Sequence, residues 1–500
     1  MTNATSNTAA PASTTPHSHT PLRRTKIVAT LGPASDRPGV LEAMLKAGVD
    51  VVRLNFSHGS ADDHRRRLNE VREIAERLGR SVAALGDLQG PKIRIARFVE
   101  GAVNLDVGQA FVLDMALDAN SGTAERVGCD YQTLADDVVE GDRLLLDDGR
   151  LVLDVTRVIG QEVHTRVHVG GKLSNNKGIN KQGGGLSAPA LTEKDKADLK
   201  TAIEIGVDYL AVSFPRSAAD MQEARELLGE AGKEIGLVAK LERAEAVADD
   251  ATLDGIIEAS EAVMVARGDL GVEIGDAALI GTQKRIIKHA RTLNRAVITA
   301  TQMMESMIES PLPTRAEVFD VANAVLDATD AVMLSAETAA GDYPVETIEA
   351  MNRVCLGAER ERLAQESGHR IHEGFERIDE TIALSAMYAA NHLSGVSAIA
   401  CMTSTGYTPL IASRIRSGLP IVGLAHSPIA QRRMALYRGV VSIPFDTTEM
   451  DPANLNQEAL KCLQAQGFIH PGEHVILTRG DHMNAHGGTN TMKILAFDSE

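Results

Sequence analysis

Cysteine is scarce in this sequence. Cys129, Cys355, Cys401 and Cys462 are the four in 500 residues, far apart and without a CxxC spacing. That distribution argues against a disulfide framework or a cysteine zinc site and fits a reducing, cytoplasmic compartment. Positive charge is also short, with 51 Lys and Arg against 68 Asp and Glu, a net charge of -17. Such an acidic balance argues against nucleic acid or an anionic membrane as the main partner. No apolar run approaches the roughly 18 residues that a membrane span needs. Residues 1–22 lack the apolar core of a signal peptide, and no arginine precedes Arg23, as a transit peptide would require. Their Thr, Ser, Ala and Pro content predicts a disordered tail.

What is present is ordinary for a folded chain of two or three domains: 44% hydrophobic and 24% charged residues. From Thr25 onward short β-branched runs alternate with amphipathic helical stretches, such as Ala61 to Leu78 with Leu68, Val71, Ile74, Ala75 and Leu78 at helical spacing. The spacing predicts strands at Lys26–Thr30, Asp50–Asn55, Val82–Asp87, Asp208–Phe214, Leu237–Glu242, Ala262–Arg267, Ala296–Thr301 and Ala331–Ser335. Strand–helix alternation implies parallel pairing, and eight units predict a closed (β/α)8 barrel. One unit is interrupted from about Lys92 to Ala188 by short strands with turn signals such as "LDDGR" and "VGGK". The expected division is a barrel over residues 23–91 and 189–365, an inserted all-β domain over 92–188 and a second α/β domain over 366–500. Five strands are expected in the last: Val396–Met402, Ile421–Leu424, Val440–Pro444, His474–Thr478 and Met492–Phe497.

A (β/α)8 barrel builds its active site at the carboxyl ends of its strands. There "VVRLNFSHG" brings Arg53, Asn55, Ser57 and His58; "LGDLQGPK" brings Asp87 and Lys92; "VAKLER" brings Lys240 and Glu242. "VARGD" adds Arg267, Gly268 and Asp269, "ITATQ" adds Thr299, Thr301 and Gln302, and "MLSAET" adds Ser335 and Glu337. Glu242 and Asp269, on adjacent strands, offer two hard oxygen ligands to one Mg2+. Arg53, Lys240 and Arg267 supply cations for a phosphorylated anion, and Gly268 allows close approach to backbone N–H groups. Bland readings exist for each: Lys240 and Glu242, two apart on one strand face, can satisfy each other, and Thr301 or Ser335 can cap helices. Spacing alone therefore stops at a Mg2+-dependent barrel enzyme acting on a small anion.

These segments resemble pyruvate kinase. The resemblance is carried by "RTKIVATLGPAS", "VVRLNFSHG", "LGDLQGPKIR", "VAKLERAEAV", "MVARGDLGVEI", "ITATQMMESM" and "PTRAEVFDVANAVLDATDAVMLSAETAAGDYP", and runs from about Arg23 to the end. It implies the barrel with an inserted small β-barrel lid and a carboxy-terminal regulatory domain. It implies phosphoenolpyruvate and ADP as substrates, pyruvate and ATP as products, Mg2+ (or Mn2+) on Glu242 and Asp269, and a homotetramer. Lys240 matches the lysine that steadies the phosphoryl group and the enolate, and Thr301 the threonine over the enolate face, linked to Ser335 in a proton relay. Arg53, Gly268 and Asp269 would contact the substrate, and Asn55, His58, Arg94 and Lys177 the nucleotide. Many relatives bind K+ near Asn55, Ser57, Asp87 and the backbone of Leu88. Here Lys92 stands where they carry a glutamate, so its ammonium is expected to replace the ion and K+ not to be required. In "MTSTGYTP" the residues Thr403, Ser404, Thr405 and Gly406 match an effector-phosphate loop. Tyr407 replaces a common arginine and the chain has no tryptophan, so a monophosphate effector, AMP or a sugar monophosphate, is expected. A Mg2+-dependent barrel lyase and a non-catalytic sugar-phosphate sensor are the readings from other classes. Neither needs Lys177 and the four residues Lys240, Glu242, Asp269 and Thr301 together.

Overall fold

In the computed structural model, which describes residues 22–365, 374–481 and 488–497, eight parallel strands close into a barrel. The expected tail up to residue 21 and the expected boundary at residue 366 lie outside the described residues. The barrel strands are β1 (Lys26–Thr30), β2 (Val51–Asn55), β3 (Ala83–Asp87), β12 (Tyr209–Val212), β13 (Gly236–Leu241), β14 (Ala262–Ala266), β15 (Ala296–Ala300) and β16 (Ala331–Leu334). They follow one another around the ring in chain order, and β16 closes it by pairing Lys26 with Ala331. Strands covered on both faces need no polar alternation, which is why most of them read as near-continuous apolar runs, interrupted by Arg53 in β2 and Lys240 in β13. Side chains alternate all the same. Val28, Leu85, Val238, Met264, Ile298 and Met333 fill the interior, while Ile27, Leu54, Val263, Val297 and Val332 meet the helices outside. All are buried to within 2% of complete, so truncating one such as Ile298 to Ala should cost about 2–5 kcal/mol.

Helices start where hydroxyls and carboxylates satisfy the exposed N–H groups of their first turns. Ser60 with Asp63, Thr192 with Asp195 and Thr314 with Glu317 form reciprocal capping boxes at three of the rim loops. Such caps fix where each loop ends, and so where its polar residues point.

Between β3 and β12 the chain forms β4 (Ala102–Leu105), β5 (Ala110–Asp114), β6 (Arg126–Val127), β7 (Arg143–Leu146), β8 (Leu151–Ile159), β9 (Glu162–Val169), β10 (Gly171–Ser174) and β11 (Ile179–Lys181). They surround a separate core that includes Phe111, Leu113, Leu144 and Leu153. They form a six-stranded sheet, β11-β7-β8-β9-β5-β6, beside a two-stranded ladder of β10 and β4, and the small β-barrel expected here closes across the two edges of that sheet. The segment 93–96 bridges those edges: the Ile95 N–H donates to the Lys177 carbonyl beside β11 at 2.9 Å, and the Ala96 N–H to the Gly128 carbonyl beside β6 at 2.8 Å.

The last sheet runs β19 (Val440–Pro444), β18 (Ile421–Ala425), β17 (Val396–Met402), β20 (His474–Gly480), β21 (Thr489–Ala496), with β21 antiparallel. It packs under the amino ends of the barrel strands, opposite the rim formed by their carboxyl ends. Lys26 donates to the Val440 carbonyl at 2.7 Å, Tyr209 to the Arg433 carbonyl at 2.8 Å, and Arg432 meets Asp208 at 2.6 Å. Arg414 and Asp330, each about 1% exposed, form an ion pair at this junction.

Candidate active site

Asp87 ends β3 with no exposed surface. A buried carboxylate is tolerated only when paired. Arg53, from β2, donates to it at 2.6 Å, and the Lys240 ammonium, from β13, lies 3.4 Å away. Burial pushes the Asp87 carboxyl up, but the two cations outweigh it and hold it below the usual range. Lys240 also donates to the Ser213 hydroxyl at 2.7 Å and meets Glu242 at 3.0 Å. Burial opposes its charge too, yet Asp87 and Glu242 raise its pKa, so it stands as a buried ammonium. Lys240 and Glu242 do pair with each other, as their spacing allows, but inside a larger network.

Glu242 is 3% exposed, and its second oxygen accepts the Phe214 N–H at 3.0 Å. Its pKa is raised, chiefly by burial, against the pull of Lys240 and with the repulsion of Asp269 and Asp87 added. Mutual repulsion of two carboxylates is what a divalent cation relieves. Among the described residues no three or more His, Cys, Asp or Glu form a metal cage. An ion held here would rest on Glu242 and Asp269, with its other positions open to substrate oxygens and water, a donor set that suits Mg2+.

Asp269 lies in the first turn of the helix Arg267–Ile274, and Lys92 approaches it at 3.2 Å. Lys92 thus turns into the cleft, its stem laid across Gly178, where an added Cβ would stand 3.2 Å from its Cε. Its partner differs from the one expected. Asp87 is already taken by Arg53 and Lys240, so Lys92 neutralises Asp269 instead. The expected K+ surroundings are otherwise occupied by protein donors: Asn55 accepts the Ser57 N–H at 3.1 Å, and the Leu88 carbonyl accepts the Ser213 hydroxyl at 2.8 Å.

Arg267 is not a cleft cation. Its guanidinium donates to the carbonyls of Ala300 (3.1 Å) and Thr301 (2.7 Å) and pairs with Asp320 at 2.7 Å, so a phosphate would have to break those bonds. Thr301 and Gln302 have φ of 66° and 54°. For a β-branched residue this left-handed backbone is an outlier, and each such strain costs on the order of 1–3 kcal/mol. The Thr301 hydroxyl donates to the Ala300 carbonyl at 2.7 Å and accepts the Gly268 N–H at 2.9 Å. It makes no bond to Ser335, whose backbone N–H donates to Glu337 at 2.7 Å, so the expected relay is not joined directly. Gly268 spends its N–H on Thr301, and a Cβ there would meet nothing nearer than 3.7 Å, so close ligand approach is not what demands glycine here.

Of the expected nucleotide residues, His58 is exposed at the rim. Arg94 and Lys177 are brought together on paired segments: Arg94 bridges Gly178 and donates to the Asn176 carbonyl at 3.1 Å, while Lys177 pairs with Asp147 at 2.7 Å.

Two family models match the chain, "Pyruvate kinase, barrel domain" over residues 22–348 and "Pyruvate kinase, alpha/beta domain" over residues 380–495. The chain belongs to the pyruvate kinase family. It is 60% identical to pyruvate kinase II of Salmonella typhimurium across 95% of this chain and 99% of that protein. Identity is 59% to the pyruvate kinase of Haemophilus influenzae (92% and 96% covered). It is 42% to that of Geobacillus stearothermophilus (94% and 80% covered). As a member of this family the chain is an enzyme, a phosphotransferase.

Three residues of this pyruvate kinase site escaped the sequence reading. Ser213 holds Lys240 and stands at the end of β12, a position class that could have exposed it. Arg243 lies over the Phe214 ring at 5.4 Å and 4.0 Å from Glu273. Glu273 accepts the Ala244 N–H at 2.8 Å and a long bond from Asn180 at 3.4 Å, joining the Asp269 helix to the inserted strands. Burial lifts its pKa to about 7. No sequence spacing marks this contact between distant segments. In the loop expected to take an effector phosphate, Thr403 accepts the Gly406 N–H at 2.9 Å and Thr405 that of Tyr407 at 3.3 Å. Those are N–H groups a phosphate would need, so the loop is self-capped here, and the ring of Tyr407 instead carries the Arg377 guanidinium at 5.3 Å.

Proposed function

We propose that Lys240, Glu242 and Asp269 carry the phosphoryl transfer of the pyruvate kinase reaction, phosphoenolpyruvate plus ADP giving pyruvate plus ATP, the last step of glycolysis. The supporting observation is the Lys240 ammonium, buried yet kept charged by Asp87 and Glu242. A fixed positive charge in a site shielded from water stabilises negative charge that develops as the phosphoryl group leaves the enolate. Bound Mg2+ (or Mn2+) supplies charge neutralisation between the two anions. Arg53 contacts the substrate phosphate beside Lys240. The Thr301 hydroxyl faces the enolate and hands on a proton, with Ser335 reached through water. Asn55, His58, Arg94 and Lys177 take the nucleotide, and the inserted strands close over it, excluding water so that ADP rather than hydroxide accepts the phosphoryl group.

Lys92 supplies positive charge at the rim and removes the need for K+. The Thr403–Gly406 loop takes a monophosphate effector, on which its hydroxyls must re-aim. A homotetramer is supported by exposed apolar side chains, Phe319 (75%), Leu312 (67%) and Ile280 (64%), and by the open edge of β21. Among the described residues no helix is long and apolar enough to cross a membrane, and the enzyme is assigned to the cytoplasm.

The test is pyruvate formation from phosphoenolpyruvate. It should require ADP and stop when Mg2+ is chelated. Pyruvate and inorganic phosphate formed equally without ADP would mean hydrolysis and refute the kinase reading, and no pyruvate under any condition would favour the lyase or the sensor.

A further inference from the structure

Arg267 occupies a position that invites a phosphate, yet it spends its donors on the chain segment bearing Thr301. Its Nε donates to the Ala300 carbonyl (3.1 Å), its Nη2 to the Thr301 carbonyl (2.7 Å), and its Nη1 meets Asp320 (2.7 Å) on the helix Arg315–Leu326. The same Ala300 carbonyl accepts the Thr301 hydroxyl. Both carbonyls flank the residue whose φ is 66°, a conformation a threonine leaves unless its surroundings impose it. We infer that Arg267, anchored by Asp320, is a positioning residue that holds the strained Thr301 turn and sets the hydroxyl for protonating the enolate carbon.

The geometry explains why an arginine is needed. A planar guanidinium can reach two carbonyls and a carboxylate at fixed angles, whereas a lysine ammonium is one point charge on a flexible stem. The Arg267 side chain is 10% exposed and that of Asp320 32%, so the anchor reaches the surface while the working end is buried. Without Asp320 the guanidinium loses its only ion-pair partner among the described residues and is free to swing toward the anions of the cleft. Thr301 would then relax, although no substrate contact had been removed.

This inference rests on Thr301 acting at the enolate, as proposed above. The decisive readout is exchange of pyruvate methyl protons with D2O in the full-length enzyme with Mg2+ and ATP, followed by NMR. Melting curves and the KM for phosphoenolpyruvate are measured on each variant. Asp320→Asn and Arg267→Lys should each slow exchange about tenfold or more, since small misplacements of reacting groups have effects of that size. The KM should stay within about twofold, because the phosphate ligands are untouched. Asp320→Asn added to Thr301→Ala should slow exchange no further than Thr301→Ala alone, since both act through one hydroxyl. Normal exchange in Asp320→Asn, or effects that multiply in the double variant, would overturn the brace while leaving Thr301 in its role. Parental exchange in Thr301→Ala would overturn the role of Thr301 and the brace with it.

Discussion

At the scale of single residues, the site balances charges that none of its members can hold alone. Asp87 is buried without exposure because Arg53 and Lys240 face it, and Lys240 stays charged because Asp87 and Glu242 face it. Lys92 plays the corresponding part for Asp269. A K+ ion placed about 4 Å from that ammonium would be repelled by about 1 kcal/mol in water and by more where water is excluded. The enzyme should therefore be fully active in Na+ or tetramethylammonium buffers, and Lys92→Glu should gain a dependence on K+. Initial rates across a K+ titration of both proteins check this; a strong K+ requirement in the parent would show that Lys92 does not replace the ion.

At the scale of elements, the helix Arg267–Ile274 carries three charged side chains with separate partners. Arg267 donates to the Ala300 carbonyl of β15, Asp269, the proposed metal ligand, meets Lys92, and Glu273 reaches Asn180 and Ala244. Glu273 keeps its proton to about pH 7, whereas the unfolded chain releases it near 4.5. The folded state binds the extra proton between those values, so this group makes stability fall as pH rises from about 4.5 to about 7, by on the order of 3 kcal/mol in total. Glu273→Gln removes the titration. Its apparent melting temperature should gain on that of the parent across this window, and parallel curves would refute the assignment. The strands of the barrel and of the last sheet were legible because apolar runs bounded by turn residues leave little choice; β1 of the one and β17 of the other fall on the expected residues, Lys26–Thr30 and Val396–Met402. Arg53, Lys240, Glu242 and Asp269 were legible because strand ends in a barrel converge. The use of Arg267 was not, because a guanidinium beside a carboxylate in sequence can turn either way, and its partner Asp320 lies 53 residues on. Nor does composition report that Thr301 has a positive φ.

At the scale of the whole molecule, the carboxy-terminal sheet meets the barrel at the strand ends remote from catalysis. The Arg414–Asp330 pair there is buried, and Arg438 donates its N–H to the same Asp330 at 2.9 Å. Breaking such a pair leaves an uncompensated charge, so Arg414→Met should destabilise the enzyme by about 3–5 kcal/mol with little direct effect on the KM for phosphoenolpyruvate, read by denaturant unfolding and steady-state kinetics. An Arg414→Met protein as stable as the parent would mean that water reaches Asp330. The catalytic rim answers to a different test. Its core is the charge that Lys240 holds beside Glu242, and Lys240→Met deletes that charge while keeping the length of the side chain. Turnover with phosphoenolpyruvate, ADP and Mg2+ should fall by about 100-fold to 1,000-fold or more, with phosphoenolpyruvate binding much less affected and the melting curve still cooperative. Near-parental turnover in a folded Lys240→Met protein would contradict the account.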